Sequence, residues 1–240
     1  MAAESSDNFA ARLLARIHRR YQTKTQTWQI GPLSIPFTRI ADPDVVLDQV
    51  AAEEDRREKQ SGVRHEGEEL HLPYWAELWD SGLGIGQMLV SAPQWVRGKN
   101  VLDLGCGMGL AGTVAAALGA NVLFADLEAD SLLFATLNSL PWRKNVRTRR
   151  LNWQKDRLEE RFDLILGADI LYEKQQWPFL EPFWREHIKK DGTVLLGEPG
   201  RQTGDLFLEW MSTKNWRIEK SEQAVTTRPR PIRLFHLFAK

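Results

Sequence analysis

From residue 99 onward, short apolar runs alternate with longer stretches in which apolar residues recur every three or four positions. The short runs are typical of buried strands, and the longer stretches are typical of helices that cover a sheet. Strands are predicted over 99–104, 121–126, 146–151, 162–168, 193–197, 216–220 and 232–239. Helices are predicted over 110–118, 129–140, 177–189 and 204–212.

The alternation predicts an α/β fold, in which helices cover a parallel sheet and right-handed crossovers join the strands. The last two strands follow each other without a helix, so we expect them to close the sheet as an antiparallel hairpin. The strand over 146–151 carries Arg147, Arg149 and Arg150. Such charges either protect an edge strand from pairing or bind an acidic partner or nucleic acid, and we place this strand at an edge.

The N-terminal part of the chain follows a different pattern. Four apolar residues share one helical face, opposite a set of arginines: Leu13, Leu14, Ile17 and Tyr21. Such a helix either packs on the domain or lies on a membrane surface. Residues 51–70 are almost wholly polar, which is typical of a helix end followed by a mobile loop or lid. We therefore divide the chain into an N-terminal extension over 1–70, with an amphipathic helix, a strand and a charged loop, and a main domain over 71–240.

Composition narrows the function classes. The chain has 240 residues, of which 42% are apolar and 27% charged, as expected of a globular protein. Its 32 Lys and Arg balance 32 Asp and Glu, and this zero net charge argues against a dedicated nucleic-acid binder. A single cysteine, Cys106, excludes an internal disulfide, and the N-terminus lacks the pattern of a secretory signal. We expect a cytoplasmic protein that does not enter a membrane.

The most informative motif is VLDLGCGMG over 101–109. Its glycines, Gly105, Gly107 and Gly109, fall where a strand turns into a helix, so that a ligand can approach the backbone. The dinucleotide pattern G-x-G-x-x-G would need a third glycine at the next position, which is leucine. Asp103 would repel a pyrophosphate but suits a cationic amine. The motif therefore favours S-adenosylmethionine, whose amino-acid end carries an ammonium, over a nicotinamide dinucleotide.

A second acidic residue, Asp126, ends the next strand, about 20 residues beyond Gly105. This is the separation at which a carboxylate contacts ribose hydroxyls in nucleotide-binding α/β folds. Leu127 would then lie against the adenine. Asn152 and Trp153, just after the third strand, are expected at the edge or face of the adenine.

The glycine motif with Asp103, the acid Asp126 and the closing hairpin resemble the class I, seven-stranded S-adenosylmethionine-dependent methyltransferases over about 72–240. The resemblance implies a Rossmann-like, doubly wound sheet of order 3-2-1-4-5-7-6, counted from the strand at 99–104, with strand 7 antiparallel. It also implies S-adenosyl-L-methionine as the cofactor and S-adenosyl-L-homocysteine as the product.

Within that class, Asp169-Ile-Leu-Tyr172 resembles the D-x-x-Y motif of seven-stranded protein-lysine methyltransferases. Three stretches resemble the lysine methyltransferases of electron-transfer flavoprotein β-subunits: PYWAELW over 73–79, VRGKNVLD over 96–103 and GEPGR over 197–201. This resemblance places Trp79 in the cofactor pocket and implies a protein substrate. The chain departs from the pattern at Glu198, where aspartate is expected, and residues 1–70 have no counterpart.

Methyl transfer is an in-line displacement, so catalysis depends on positioning the nucleophile and presenting it without charge. Only about one free lysine in 2,500 is neutral at pH 7. Asp169, at the end of the fourth strand and beside the glycine loop, is predicted to orient the lysine ammonium and to contact the cofactor. Tyr172 would fix the amine after deprotonation, and Glu198 is a candidate second acid at the mouth of the site.

Two other functions stay open on the sequence alone: methyl transfer to a small molecule or nucleic acid, and a non-catalytic module that binds the cofactor and a partner. A nucleic-acid amine would call for an Asn/Asp-Pro-Pro-Tyr loop, whereas this chain has Asp169-Ile-Leu-Tyr172. No metal site is predicted, because His65, Glu66 and His71 lack the i, i+4 histidine pair of a zinc hydrolase.

Overall fold

The structure is a computed structural model that describes residues 6–61 and 73–240. Its N-terminal part consists of α1 (Ser6–His18), a hairpin of β1 (Thr23–Ile30) and β2 (Leu33–Ile40), and α2 (Pro43–Ser61). His65, Glu66, His71 and the second half of the polar segment lie outside the described residues.

The main sheet has seven strands: β3 (Asn100–Leu104), β4 (Asn121–Asp126), β5 (Val146–Arg150), β6 (Phe162–Ala168), β7 (Ile188–Glu198), β8 (Trp216–Gln223) and β9 (Ile232–Ala239). Their spatial order is β5-β4-β3-β6-β7-β9-β8. Strands β3 to β7 pair in parallel, whereas β9 pairs antiparallel with both β7 and β8. Counted from β3, this is the order 3-2-1-4-5-7-6. The predicted fold class and topology are confirmed, and the arginine-bearing strand β5 forms an edge.

The described part of the main domain has five α-helices: α3 (Asp80–Ser91), α4 (Leu110–Ala117), α5 (Ala129–Asn138), α6 (Trp177–His187) and α7 (Gln202–Met211). These helices cover both faces of the sheet. Successive residues of a strand point to opposite faces, so strands that are apolar throughout need a covering layer on each side. Val101 packs in the core that contains α3, α4 and α5, and its neighbour Leu102 packs in the core that contains α6 and α7. The two cores make the sheet a rigid base for its loops.

Several boundaries differ from the sequence prediction by one to three residues, and the single strand predicted in the N-terminal extension is the hairpin of β1 and β2. The largest difference lies between α6 and β7. The pattern predicts helix through 189 and strand from 193, but α6 ends at His187 and β7 begins at Ile188. Ile188 is buried and pairs with Phe162, and the register then shifts before the next pair. The polar residues that follow Ile188 are therefore accommodated in an irregular part of a strand rather than in a helix.

The N-terminal elements share a core with the main domain. Ile17 of α1 and Ile30, Ile35 and Phe37 of the hairpin are almost fully buried, in the same cluster as Val114 of α4. Helix α1 packs on α5 and leaves its arginines exposed. The division of the chain at residue 70 stays a prediction. Over residues 6–61 and 73–240, no helix has the length and apolarity needed to cross a membrane.

Candidate functional site

A cleft of about 330 Å³ opens at the carboxyl ends of β3, β4 and β6. This is where the strand order reverses, the position at which open α/β sheets bind ligands, and the volume suits a small molecule. Most of the residues predicted from the sequence line this cleft: Trp79, Asp103, Gly105, Gly107, Gly109, Asp126, Leu127, Asn152, Trp153, Asp169 and Tyr172.

The glycine loop forms one wall of the cleft. Gly105, Gly107 and Gly109 have φ angles of 63°, 50° and 85°, a left-handed region that favours glycine. A Cβ on Gly109 would lie 2.8 Å from the Cβ of Ala135. Neither the backbone conformation nor the packing at Gly109 admits a larger residue, so the loop presents bare backbone to the cleft.

Asp103 is buried at the base of this loop, with 1% of its surface exposed. Its Oδ2 accepts a hydrogen bond of 2.9 Å from the backbone N–H of Gly112. Burial raises the pKa of Asp103 to about 7, the bond from Gly112 opposes this rise, and the charge of Asp126 adds to it. A cation in the cleft would therefore stabilise the charged form of this carboxylate.

Gly112 is a residue that sequence reasoning missed. A Cβ there would lie 2.4 Å from Cε1 of Phe124 and 2.7 Å from Oδ2 of Asp103. Only glycine lets the first turn of α4 approach the carboxylate this closely. A helix glycine gives no such signal in the sequence, because the contact depends on how α4 packs on β4.

Asp126 organises the same loop from the neighbouring strand. Its Oδ2 accepts from the N–H of Gly107 at 2.8 Å, and its Oδ1 accepts from the N–H of Glu128 at 2.9 Å. Burial raises the pKa of Asp126, and these two hydrogen bonds work against the rise. The carboxylate thus fixes the middle of the glycine loop, in addition to facing the cleft.

The residues predicted near the adenine lie at one end of the cleft. Trp153 packs over the glycine turn, with its ring 3.4 Å from the position of a Cβ on Gly105. Its Nε1 donates to Oε1 of Gln176 at 3.0 Å, so Gln176, which the sequence did not reveal, sets the orientation of the indole. Asn152 uses its side-chain oxygen to accept from the N–H of Gln154 at 2.9 Å, which closes a local turn.

Asp169 lies at the other end of the cleft and has an unusual backbone. It is the one non-glycine residue with positive φ among those described, at 57°, and its N–H donates to the carbonyl of Gly197 at 2.9 Å. Its Oδ2 accepts from Nη2 of Arg201 at 2.8 Å. Burial raises the pKa of Asp169, and Arg201 is the main group that opposes this rise. Such a strained, charged position is typical of functional sites.

Aromatic side chains form the rim beside Asp169. The Tyr74 ring contacts the rings of Trp79 and Tyr172, with centroid distances of 6.4 Å and 5.1 Å. Trp79 donates from Nε1 to the carbonyl of Tyr74 at 2.9 Å. The guanidinium of Arg201 lies 5.2 Å from the centroid of Trp79. Burial raises the pKa of Tyr172, so this tyrosine is a neutral phenol at physiological pH.

Glu198 does not reach the cleft. Its side chain is buried, accepts the backbone N–H of Gly200 at 2.8 Å and that of Arg201, and pairs with the guanidinium of Arg233. The expectation that Glu198 lies at the mouth of the site is therefore wrong. Its side chain points instead toward β9 and holds the turn that carries Arg201.

This combination of sheet order, glycine loop and strand-end carboxylates defines a class I S-adenosylmethionine-dependent methyltransferase fold. Residues 67–214 match the model of a family described as Lysine methyltransferase. The chain belongs to this family, which confirms the resemblance derived from the motifs.

Curated relatives include the zebrafish (Danio rerio) protein N-lysine methyltransferase METTL21A, 37% identical over 129 residues that cover 50% of this chain and 58% of the relative. The electron transfer flavoprotein beta subunit lysine methyltransferase of Xenopus laevis is 34% identical over 54% of this chain and 53% of the relative. The mouse (Mus musculus) EEF1A lysine methyltransferase 3 is 31% identical over 62% of this chain and 66% of the relative. The chain thus spans about half to two thirds of the length of these relatives.

Solved structures support the fold. The glycopeptide N-methyltransferase MtfA, in complex with S-adenosyl-L-homocysteine, superposes with a TM-score of 0.59 at 13% identity, over 68% of this chain and 91% of that chain. A TehB-like SAM-dependent methyltransferase from Corynebacterium glutamicum superposes with a TM-score of 0.51 at 21% identity, over 83% of this chain and 100% of that chain. At these identities the similarity establishes the architecture alone.

Proposed function

We propose that this protein binds S-adenosyl-L-methionine in the cleft and transfers its methyl group to a lysine side chain of a protein substrate. One observation carries the proposal: a single cleft joins a glycine loop backed by Asp103 to a second buried carboxylate, Asp169, surrounded by aromatic rings. The names of the curated relatives, which are lysine methyltransferases of proteins, agree with this arrangement.

The glycine-loop end of the cleft fits the cofactor. Asp103 is a buried carboxylate at the base of the glycine loop, and an ammonium group bound beside it would stabilise its charged form against the effect of burial. Asp126, Leu127 and Trp153 line the cleft, where Asp126 would contact the ribose hydroxyls and the other two would offer apolar surface to the adenine. When bound, S-adenosyl-L-methionine supplies a methyl group activated by the sulfonium. The residues here hold and orient it.

The Asp169 end of the cleft fits a lysine. Asp169 attracts the ammonium and orients it, and Tyr172 offers a neutral phenol oxygen that accepts a hydrogen bond from the amine. Trp79 and Tyr74 present aromatic rings beside this carboxylate, and a cation beside such rings gains about 0.5–2 kcal/mol. In-line transfer then needs the lone pair of the deprotonated amine, and its proton is lost to solvent. On the sequence grounds given above, we also propose a cytoplasmic location.

The experiment that tests this function is methyl transfer from deuteromethyl-labelled cofactor to a cell extract. The purified protein and its Asp169→Ala variant are incubated with separate protein, nucleic-acid and small-molecule fractions, and each fraction is analysed by mass spectrometry. We expect label in the protein fraction with the wild type and loss of that label with the variant. Label confined to nucleic acids or small molecules would reject the proposal.

A further inference from the structure

A buried asparagine links the N-terminal hairpin to the glycine loop. Asn138, at the end of α5, is 3% exposed. Its Oδ1 accepts from the N–H of Thr38 at 2.8 Å, and its Nδ2 donates to the carbonyls of Thr38 and Met108, each at 3.0 Å. Both hydrogens of the side-chain amide are used in this way. Met108 lies inside the glycine loop, so one side chain connects this loop to β2.

A second link runs from Tyr21, between α1 and β1, to the same loop through Trp75. The Tyr21 hydroxyl donates to Oδ2 of Asp130 at 2.6 Å, and its ring packs edge-on against Trp75 with a centroid distance of 5.5 Å. The carbonyl oxygen and Cα of Trp75 lie 3.6 Å and 3.9 Å from the position of a Cβ on Gly107. Tyr21 therefore supports the segment that covers the middle of the loop.

We propose that the N-terminal extension holds the glycine loop in its ligand-binding conformation, with Asn138 and Tyr21 as positioning residues. Glycine has the greatest backbone freedom of any residue, so a loop with three glycines loses much entropy when it binds a ligand. Holding the loop beforehand removes part of that cost and strengthens binding. The family match begins at residue 67, so the described extension lies outside it.

The identity of the ligand rests on the proposed function, and S-adenosyl-L-homocysteine is the probe. Asn138→Leu removes the three hydrogen bonds at similar volume, and Tyr21→Ala removes the ring that contacts Trp75. Leu237→Ala is the control, because Leu237 is buried in the core on the opposite face of the sheet. For each variant, calorimetry gives the affinity, urea unfolding gives the stability, and hydrogen exchange reports on residues 105–109 without ligand.

We expect Asn138→Leu and Tyr21→Ala to bind at least about fivefold more weakly and to exchange faster over residues 105–109. The control should lose stability and keep its affinity within about twofold, which separates positioning from general destabilisation. Tyr21→Phe keeps the ring contact with Trp75 and should restore wild-type affinity. If Asn138→Leu does not fold, the half-exposed position of Tyr21 allows the same test with Tyr21→Ala.

Wild-type affinity and wild-type loop exchange in the folded variants would overturn the inference. Failure of the wild-type protein to bind S-adenosyl-L-homocysteine would instead reject the proposed cofactor. The exchange measurement still decides the inference in that case, because it uses the ligand-free protein.

Discussion

The two ends of the cleft hold their carboxylates in different ways. At the glycine-loop end, Asp103 and Asp126 accept hydrogen bonds from backbone N–H groups, among them those of Gly112 and Gly107. At the other end, Asp169 is paired with a side chain, the guanidinium of Arg201. A backbone donor is fixed by the fold, whereas a side-chain cation can be exchanged for another cation. The first end is therefore suited to holding one ligand rigidly. On the proposed function, the ammonium of a substrate lysine would take the place of the Arg201 guanidinium beside Asp169.

The three carboxylates are all buried, but residues beside Asp169 are exposed. Asp103, Asp126 and Asp169 are at most 8% exposed, whereas Tyr74 is 37% exposed and the Arg201 side chain is 39% exposed at the rim. A protein substrate would thus approach from the rim without disturbing the glycine loop. Substitutions at the glycine-loop end should therefore alter cofactor binding, and substitutions at the Asp169 end should alter the rate of methyl transfer.

The largest effect is expected from Asp103→Ala. Removal of a buried charge partner for the ammonium should weaken binding of S-adenosyl-L-homocysteine at least about 30-fold, since truncating one partner of such a pair typically costs about 2–5 kcal/mol. Calorimetry measures the affinity. Asp103→Asn serves as the matched variant, because it keeps an acceptor for the N–H of Gly112. Near-normal affinity of the alanine variant would contradict the cofactor assignment.

Asp169→Ala should separate the two ends most clearly. Transfer to protein is expected to fall about 100-fold, in line with the loss of a group that positions the nucleophile, while the affinity for S-adenosyl-L-homocysteine changes no more than about threefold. Initial rates with labelled cofactor measure transfer. Tyr172→Phe, which keeps the ring contact with Tyr74, should reduce the rate about tenfold. A full rate with Asp169→Ala would show that Asp169 does not orient the lysine.

Cofactor affinity should depend on pH through Asp103. The pKa of Asp103 is raised from 3.8 to about 7 in the ligand-free protein. The contribution of Asp103 to the free energy of unfolding is therefore greatest below its pKa in the unfolded chain, and it is lost as the pH rises through about 7. An ammonium ligand needs the charged form, and binding should weaken about tenfold between pH 8 and pH 6. Calorimetry at several pH values tests this. The Asp103→Asn variant should lack this dependence, and an equally steep slope in it would refute the assignment to Asp103.

The smallest effect is expected from Arg201→Ala. Arg201 opposes the rise in the pKa of Asp169 that burial causes, so its removal should raise that pKa and move the acid limb of the pH–rate profile to higher pH. At pH 8 the rate should change only about two- to fivefold. Arg201→Lys retains the charge and should keep the wild-type profile. An acid limb that does not move in the alanine variant would show that the arginine leaves the Asp169 charge unaffected.

The features that could be predicted from the sequence are those determined by residues close together in the chain. Periodicity predicted the strands and helices, and the spacing within the motif at 101–109 predicted the loop and Asp103. Residues brought together only by packing were missed, as Arg201, Gln176 and Asn138 show. Glu198 illustrates the limit differently: the end of β7 was predicted, but the direction of a strand side chain reverses with every residue. Position at a strand end therefore did not determine which way Glu198 points.

On the proposed function, the rim around Asp169 receives a lysine side chain. Tandem mass spectrometry can test this on a protein labelled by the wild-type enzyme with deuteromethyl cofactor, because it locates the methyl group on its residue. We predict the label on the side-chain nitrogen of lysine, and its absence when Asp169→Ala is used. Label on another residue type, or undiminished lysine label with the variant, would contradict the account.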